Sequence, residues 1–215
     1  MHFLVVHDDL DGVASAATYI VLNSLSSYQV LFAEPTTLHK VLGKVMKSAG
    51  KGDKIVVADL GVNEPLLGKL EEVLSKLRSR GAEVEWYDHH VWDDRWLERL
   101  GPYARIVVDN STCAAGVVYN FAPRSGEKPR ALGTLVKAAC SADLWRFDVW
   151  EAPWLYRYVV CRGGREWRLR VLSRFLELVK QGTLVDTEVE NEVSRVVEEE
   201  VKSTSELLNR VVVEE

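Results

Sequence analysis

From residue 3 to about residue 145, short unbroken apolar runs alternate with stretches whose apolar residues recur every three or four positions. The runs at 3–6, 29–32, 54–58, 83–87 and 105–108 are rich in β-branched residues, the pattern of strands buried on both faces of a parallel sheet. Between them, 13–25, 37–49 and about 64–80 have helical periodicity. Gly50 closes the second helix, and the third begins behind Asn63 as N-cap, with Pro65 in its first turn and Gly81 as its stop. Small residues from Asn110 to Gly116 open a further helix to about Phe121. Residues 123–129 form the clearest loop, and 131–142 read as a helix leading to Asp143. Alternating β and α units predict an α/β fold: a doubly wound, mainly parallel, right-handed sheet of about five strands with helices on both faces.

Beyond residue 145 the strand pattern stops and a helical C-terminal extension over 146–215 is expected. An aromatic helix over 150–161 is followed by Arg162-Gly163-Gly164-Arg165, which reads as a turn between helices, and by an amphipathic stretch over 166–180. Val185, Val189, Val193, Val196, Val197 and Val201 then fall at spacings of three and four, one stripe on a tail helix over 185–213.

Charge divides this extension further. The segment 157–180 holds seven basic residues against two acids, whereas 186–215 holds ten acids against three bases, within a chain of net charge -5. A basic run is either a phosphate-binding patch or a solvated helix face. The aromatic group Trp145, Trp150, Trp154, Tyr156, Tyr158 and Trp167 likewise either stacks on bases or, more commonly, forms core where the C-terminal helices pack on the sheet.

With 47% apolar residues in 215, the chain can bury a full core, yet no segment approaches the roughly 18 apolar residues of a membrane span. The first apolar run is too short for a signal peptide, which makes the cytoplasm the expected address. Cys113, Cys140 and Cys161 contain no CxxC pair, so reduced, mostly buried thiols are expected rather than a disulfide framework or zinc ribbon. Two Met and two Gln beside abundant Glu, Arg and Val lean toward a thermophilic source.

Candidate chemistry sits at the C-terminal ends of three strands, the edge where open α/β sheets bind ligands. His7-Asp8-Asp9-Leu10-Asp11-Gly12 follows the first strand, Asp59-Leu60-Gly61 the third and Asp88-His89-His90 the fourth. Alternate residues leaving a strand point to one side, so His7, Asp9 and Asp11 can converge, while Asp8 faces solvent or caps the helix. Taken alone, H-x-D-x-D-G is equally a polar turn and Asp59 a helix cap. Three such clusters at three strand ends are a stronger signal. Oxygen ligands mixed with imidazole, without cysteine, suit Mn²⁺ or Mg²⁺ better than structural zinc.

Taken in order, His7-x-Asp9-x-Asp11-Gly12, Asp59, Asp88-His89-His90, the stretch from Ser111 to Gly116 and Asp143 resemble the motifs of the DHH phosphoesterase superfamily. That group includes RecJ-type exonucleases, oligoribonucleases, cyclic-dinucleotide phosphodiesterases and manganese pyrophosphatases. The resemblance covers residues 1–145. It implies two divalent ions, Mn²⁺ preferred and Mg²⁺ or Co²⁺ the alternatives. His7, Asp9 and Asp59 would hold one; Asp11, Asp59, His89 and Asp143 the other, with Asp148 as the competing last ligand. A hydroxide activated by the two ions would attack phosphorus. His90, with Asp88, would serve as the catalytic pair that meets the phosphate, and Ser111 and Thr112 would bind substrate; Arg165 and Arg168, in the basic segment beyond the resemblance, are candidates to bind a polyanionic substrate.

The Gly-Gly-Gly-His motif of the DHHA1 domain, which many members carry, is not found in the sequence. The implied activity is hydrolysis of phosphodiester bonds in short single-stranded oligonucleotides or nucleotide-like substrates. A non-catalytic RecJ-like subunit of a replication or repair complex is the alternative, and a manganese pyrophosphatase a third. The tail helix implies a homodimer or a protein partner.

Overall fold

A computed structural model of the protein describes residues 1–209. Five strands, β1 (His2–Val6), β2 (Tyr28–Phe32), β3 (Lys54–Ala58), β4 (Glu83–Asp88) and β5 (Arg105–Val108), form one sheet in the order β2-β1-β3-β4-β5. Every pairing is parallel, with Val6 level with Ala58 and Ala58 level with Tyr87, so the C-terminal ends of the three central strands finish together.

Both faces of the sheet are covered because successive side chains of each strand point opposite ways. Phe3, Val5, Ile55, Val57, Val84 and Trp86 pack against α2 (Leu38–Val45), α3 (Leu67–Ser79) and α4 (Asp94–Leu100). Leu4, Val6, Val56, Ala58 and Tyr87 face α1 (Leu10–Leu22), α5 (Ala114–Phe121) and α6 (Arg130–Asp143). Helix α1 is buried nearly all round. Its outer side is covered by α7 (Glu151–Val160) and α8 (Arg165–Gln181), so the C-terminal helices share one hydrophobic cluster with the sheet.

The fold class expected from the sequence is the one found, with differences at element ends. Helix α1 starts at Leu10 because Asp9, not Asp8, caps it, accepting the Gly12 amide at 2.9 Å. Asn63 makes no side-chain cap, and a short 3₁₀ turn over Glu64–Leu66 precedes α3. Helix α4 has no counterpart in the sequence reading; it is seven residues long and is started by Asp93, which accepts the Arg95 amide.

Two further expectations are corrected. Cys113 and Cys140 are not separate thiols: the helices that carry them bring them together as a disulfide, and Cys161 is the free cysteine. The valine stripe does not stand free along its whole length either. In α9 (Thr187–Leu208), Val189 and Val193 are buried in the chain's own core, whereas Val197 is 38% and Val201 60% exposed.

The basic and acidic runs meet each other. Arg157 pairs with Glu200 (3.0 Å), Arg162 with Glu192 (2.6 Å), Arg170 with Glu188 (2.9 Å), and Arg174 with Glu177, Asp186 and Glu188. Each partly exposed pair contributes about 1 kcal/mol or less, but together they fix α9 in one register over α7 and α8. Among the described residues no helix is long and apolar enough to cross a membrane.

Candidate metal centre

The chain leaves β1 toward one face of the sheet and β3 toward the other, which opens a crevice at their C-terminal ends. His7 follows β1 directly. Its Nδ1 lies 2.8 Å from Asp9 Oδ2 and 3.9 Å from Asp59 Oδ2, while its Nε2 meets Glu34 Oε2 at 3.2 Å. The loop closes tightly because a Cβ on Gly12 would stand 2.2 Å from the His7 carbonyl oxygen. Asp11, in the first turn of α1, is buried; its two oxygens accept the Ala114 amide at 2.7 Å and the Ala115 amide at 2.8 Å. The start of α5 therefore holds a carboxylate of the cluster with its free amides.

Asp59 ends β3 in left-handed backbone, φ +59°, a conformation that aspartate tolerates better than most residues. At the end of β4, His89 Nε2 stands 3.4 Å from Asp59 Oδ1, 3.7 Å from Asp143 Oδ2 and 3.9 Å from Asp11 Oδ2. His90 has a carboxylate partner of its own: its Nδ1 pairs with Asp88 Oδ1 at 2.8 Å, and the other Asp88 oxygen accepts the Trp92 indole N–H at 2.6 Å. Asn110 fixes the backbone of the pair, donating through Nδ2 to the carbonyls of His89 and His90.

Ligand atoms thus gather in overlapping sets within 4.8 Å: His7, Asp9 and Asp59; Asp11, His89 and Asp143; and Asp59, His89 and His90. Asp59 stands between the first set and the last. Asp59 Oδ2, His89 Nε2 and Asp143 Oδ2 are buried without a hydrogen-bond partner among the described residues. Such groups carry a large desolvation penalty, and a divalent cation held among them removes it.

Electrostatics agree. Burial, then the charges of neighbouring carboxylates, holds Asp11 and Asp59 well above the usual carboxylate range. Burial also raises Asp143. The hydrogen bond to Asp9, opposed by burial, brings His7 up to about 9. Burial would raise Asp9 too, but the hydrogen bond and charge of His7 carry it down to about 2. Four carboxylates and two imidazoles around one crevice fit hard divalent ions.

The remaining residues named from sequence lie elsewhere. Asp148 bonds Ser141 Oγ at 2.6 Å, leaving Asp143 as the aspartate in the cluster. Ser111 Oγ bonds Asp109, and Thr112 Oγ1 packs on Cys140 Sγ and over Gly116. Arg168 is buried and donates to the carbonyls of Asp8, Val159 and Arg162, tying α8 to the loop after β1. Arg165 is exposed beside Tyr28 and Gln29, at the start rather than the end of β2. Glu34 and Asn110, which touch the cluster residues, were not singled out by the sequence, whereas Trp92, just beyond the histidine pair, is expected near the site and does bond Asp88. Glu34 and Asn110 are each a lone polar residue in a loop, without a spacing to mark it.

Solved structures share this architecture. The chain aligns over 91% of its length with 62% of an uncharacterized protein from Helicobacter pylori G27 (TM-score 0.68, 20% identity). It also aligns over 98% with 37% of RecJ in complex with Mn²⁺ from Thermus thermophilus (0.51, 16%), and over 90% with 59% of PggH, a pGpG-specific phosphodiesterase from Vibrio cholerae (0.53, 16%). These likenesses are of fold. This chain spans between 37% and 62% of the length of these three neighbours. No protein-family model and no curated protein matches the sequence.

Proposed function

We propose that the protein is a Mn²⁺-dependent phosphodiesterase acting on short single-stranded oligonucleotides or nucleotide-like phosphodiesters. The observation that carries this reading is the convergence of His7, Asp9, Asp11, Asp59, His89 and Asp143 with three buried polar atoms unpartnered among the described residues. Fold similarity to RecJ and to a pGpG phosphodiesterase supports the substrate class.

His7, Asp9 and Asp59 would hold one ion, and Asp11, Asp59, His89 and Asp143 a second. Bound ions supply Lewis acidity to the phosphoryl oxygen and activate water as the nucleophile. The chain supplies the rest. Asp88, buried, accepts from His90 Nδ1 and leaves Nε2 free at a half-exposed ring. The hydrogen bond to Asp88 raises the His90 pKa, which favours the protonated ring that could donate to a phosphate oxygen or to the leaving group. A Cβ added at Gly61 would stand 3.5 Å from the His90 side chain, so the glycine leaves the ring its place, and Asn110 holds the His90 backbone. The distal part of α9, with Val197 and Val201 exposed, would contact a second copy or a protein partner.

The test is a Mn²⁺-supplemented hydrolysis panel of short RNA, single-stranded DNA, cyclic dinucleotides and pyrophosphate. Cleavage of dinucleotides or short oligonucleotides is expected, and Asp59→Asn should reduce it by orders of magnitude, because the negative charge shared by two close cations is lost. Turnover of pyrophosphate alone would replace this reading with a pyrophosphatase. Full activity in Asp59→Asn would remove the two-ion site.

A further inference from the structure

The loop that leaves α6 just after Asp143 carries two bulky residues in left-handed backbone, Trp145 at φ +54° and Phe147 at φ +48°. For residues of this size that region is strained, so it persists only where the surroundings impose it. The surroundings here are specific. The Trp145 amide donates to Ala142 O (3.0 Å), and the amides of Arg146 and Phe147 both donate to Ser141 O (2.9 and 3.0 Å). Ser141 Oγ in turn accepts the Asp148 amide at 2.9 Å and bonds its carboxylate.

What this wrapped loop achieves is the opposite of burial. Trp145 is 76% exposed, the most exposed tryptophan among the described residues. It forms an aromatic group with Phe147 (centroids 5.8 Å apart) and Tyr156 (6.5 Å). Aromatic residues serving the core look different: Tyr158 and Trp167, a few residues on, are buried and packed edge to face. Trp145 and Tyr156 line a cavity of about 250 Å³ whose other walls include Asp9, Asp11 and Asp143. An apolar, flat, solvent-facing surface is thus fixed against the carboxylates of the metal centre.

We propose that Trp145 and Tyr156 form a nucleobase-stacking subsite, which takes the base of the nucleotide whose phosphate sits at the metal centre. The placing of the phosphate rests on the phosphodiesterase reading; the stacking needs only the aromatic face. An aromatic face accepts any base through its π surface, so the subsite selects nucleotides over other phosphoesters without selecting sequence.

Calorimetric titration of the Mn²⁺-loaded protein with AMP and with ribose 5-phosphate tests it. Stacking of one base is worth about 1–3 kcal/mol, so AMP should bind roughly 5- to 150-fold tighter than ribose 5-phosphate. Trp145→Ala should remove that preference while leaving ribose 5-phosphate affinity in place. Trp145→Phe should restore most of it, and Tyr156→Leu should lower it in part. Equal affinity of the native protein for the two ligands, or binding of neither, overturns the subsite. So does a Trp145→Ala protein that is weakened equally toward both, since the loop would then be structural. A preference for AMP in a protein that cleaves no phosphodiester supports the subsite and removes the enzymatic reading. Cleavage without preference does the reverse.

Discussion

His7 is held at both ring nitrogens, and the two contacts differ in kind. Glu34 Oε2 at 3.2 Å takes Nε2, so the proton on that side is fixed and Nδ1 is aimed at Asp9 and Asp59. A carboxylate behind a metal-facing imidazole sets its tautomer and orientation. In the metal-free protein Nδ1 is protonated as well, because the Asp9 hydrogen bond raises His7 from 6.5 to about 9. Its contribution to stability is therefore complete below 6.5 and lost as pH rises through about 9. Metal must displace that proton. Mn²⁺ affinity, and the rise in Tm that Mn²⁺ gives, should accordingly increase with pH across this window. Titration in buffers of different ionisation enthalpy should show proton release; binding independent of pH would contradict the cluster as drawn.

The two adjacent histidines divide along the same lines. His89→Ala removes the imidazole nitrogen that faces Asp59, Asp143 and Asp11 and should lower the bound Mn²⁺ count. His90→Ala should keep the metal and lose turnover by about 10²- to 10⁴-fold, the range for a proton donor. Equal loss of metal in both variants would reverse this assignment. The triplet, His7, Asp9, Asp11 and Asp59 stand out in the sequence as three clusters that each follow an apolar run, and Asp143 is reached only through the family resemblance. Glu34 does not stand out: it meets His7 only once β2 lies beside β1.

At the level of elements, the site depends on how closely α1 follows β1. Gly12 allows that approach, and Asp11 is fixed from across the crevice by α5. In Gly12→Ala the new methyl would collide with the His7 carbonyl, so the backbone must shift; overpacking of this kind costs about 1–3 kcal/mol. Lower denaturation midpoints and weakened Mn²⁺ binding are expected together, and a variant with native metal affinity would show that the loop adapts. The strands and most helices were legible from hydrophobic period, since buried parallel strands leave an unbroken apolar run. Helix α4 was not, being too short for its period to show. The cysteines misled for a related reason: Cys113 and Cys140 are 27 residues apart, and only the packing of α5 on α6 joins them.

For the whole molecule, the last helix both completes the core and balances charge. Val189→Ala or Val193→Ala should destabilise by about 2 kcal/mol, because each opens a space in the cluster shared with the sheet. Val201→Ala, at 60% exposure, should stay within about 0.5 kcal/mol. Urea denaturation of the three variants separates fold-back from a free stripe. The sequence showed the stripe and both charge runs, but not that one would neutralise the other, since that depends on α9 crossing α7 and α8.

That internal neutralisation bears on how substrate arrives. Where the arginines of a basic segment already hold carboxylates, few cations remain to exchange counterions with a passing polyanion, so capture should be only weakly sensitive to ionic strength. If the protein is the phosphodiesterase proposed above, a long strand would gain little grip from the phosphates beyond the one being cut, and each encounter would end after a single event. Kinetically the protein would be distributive, treating a dinucleotide and the end of a long strand much alike, which suits clearance of fragments better than travel along a polymer.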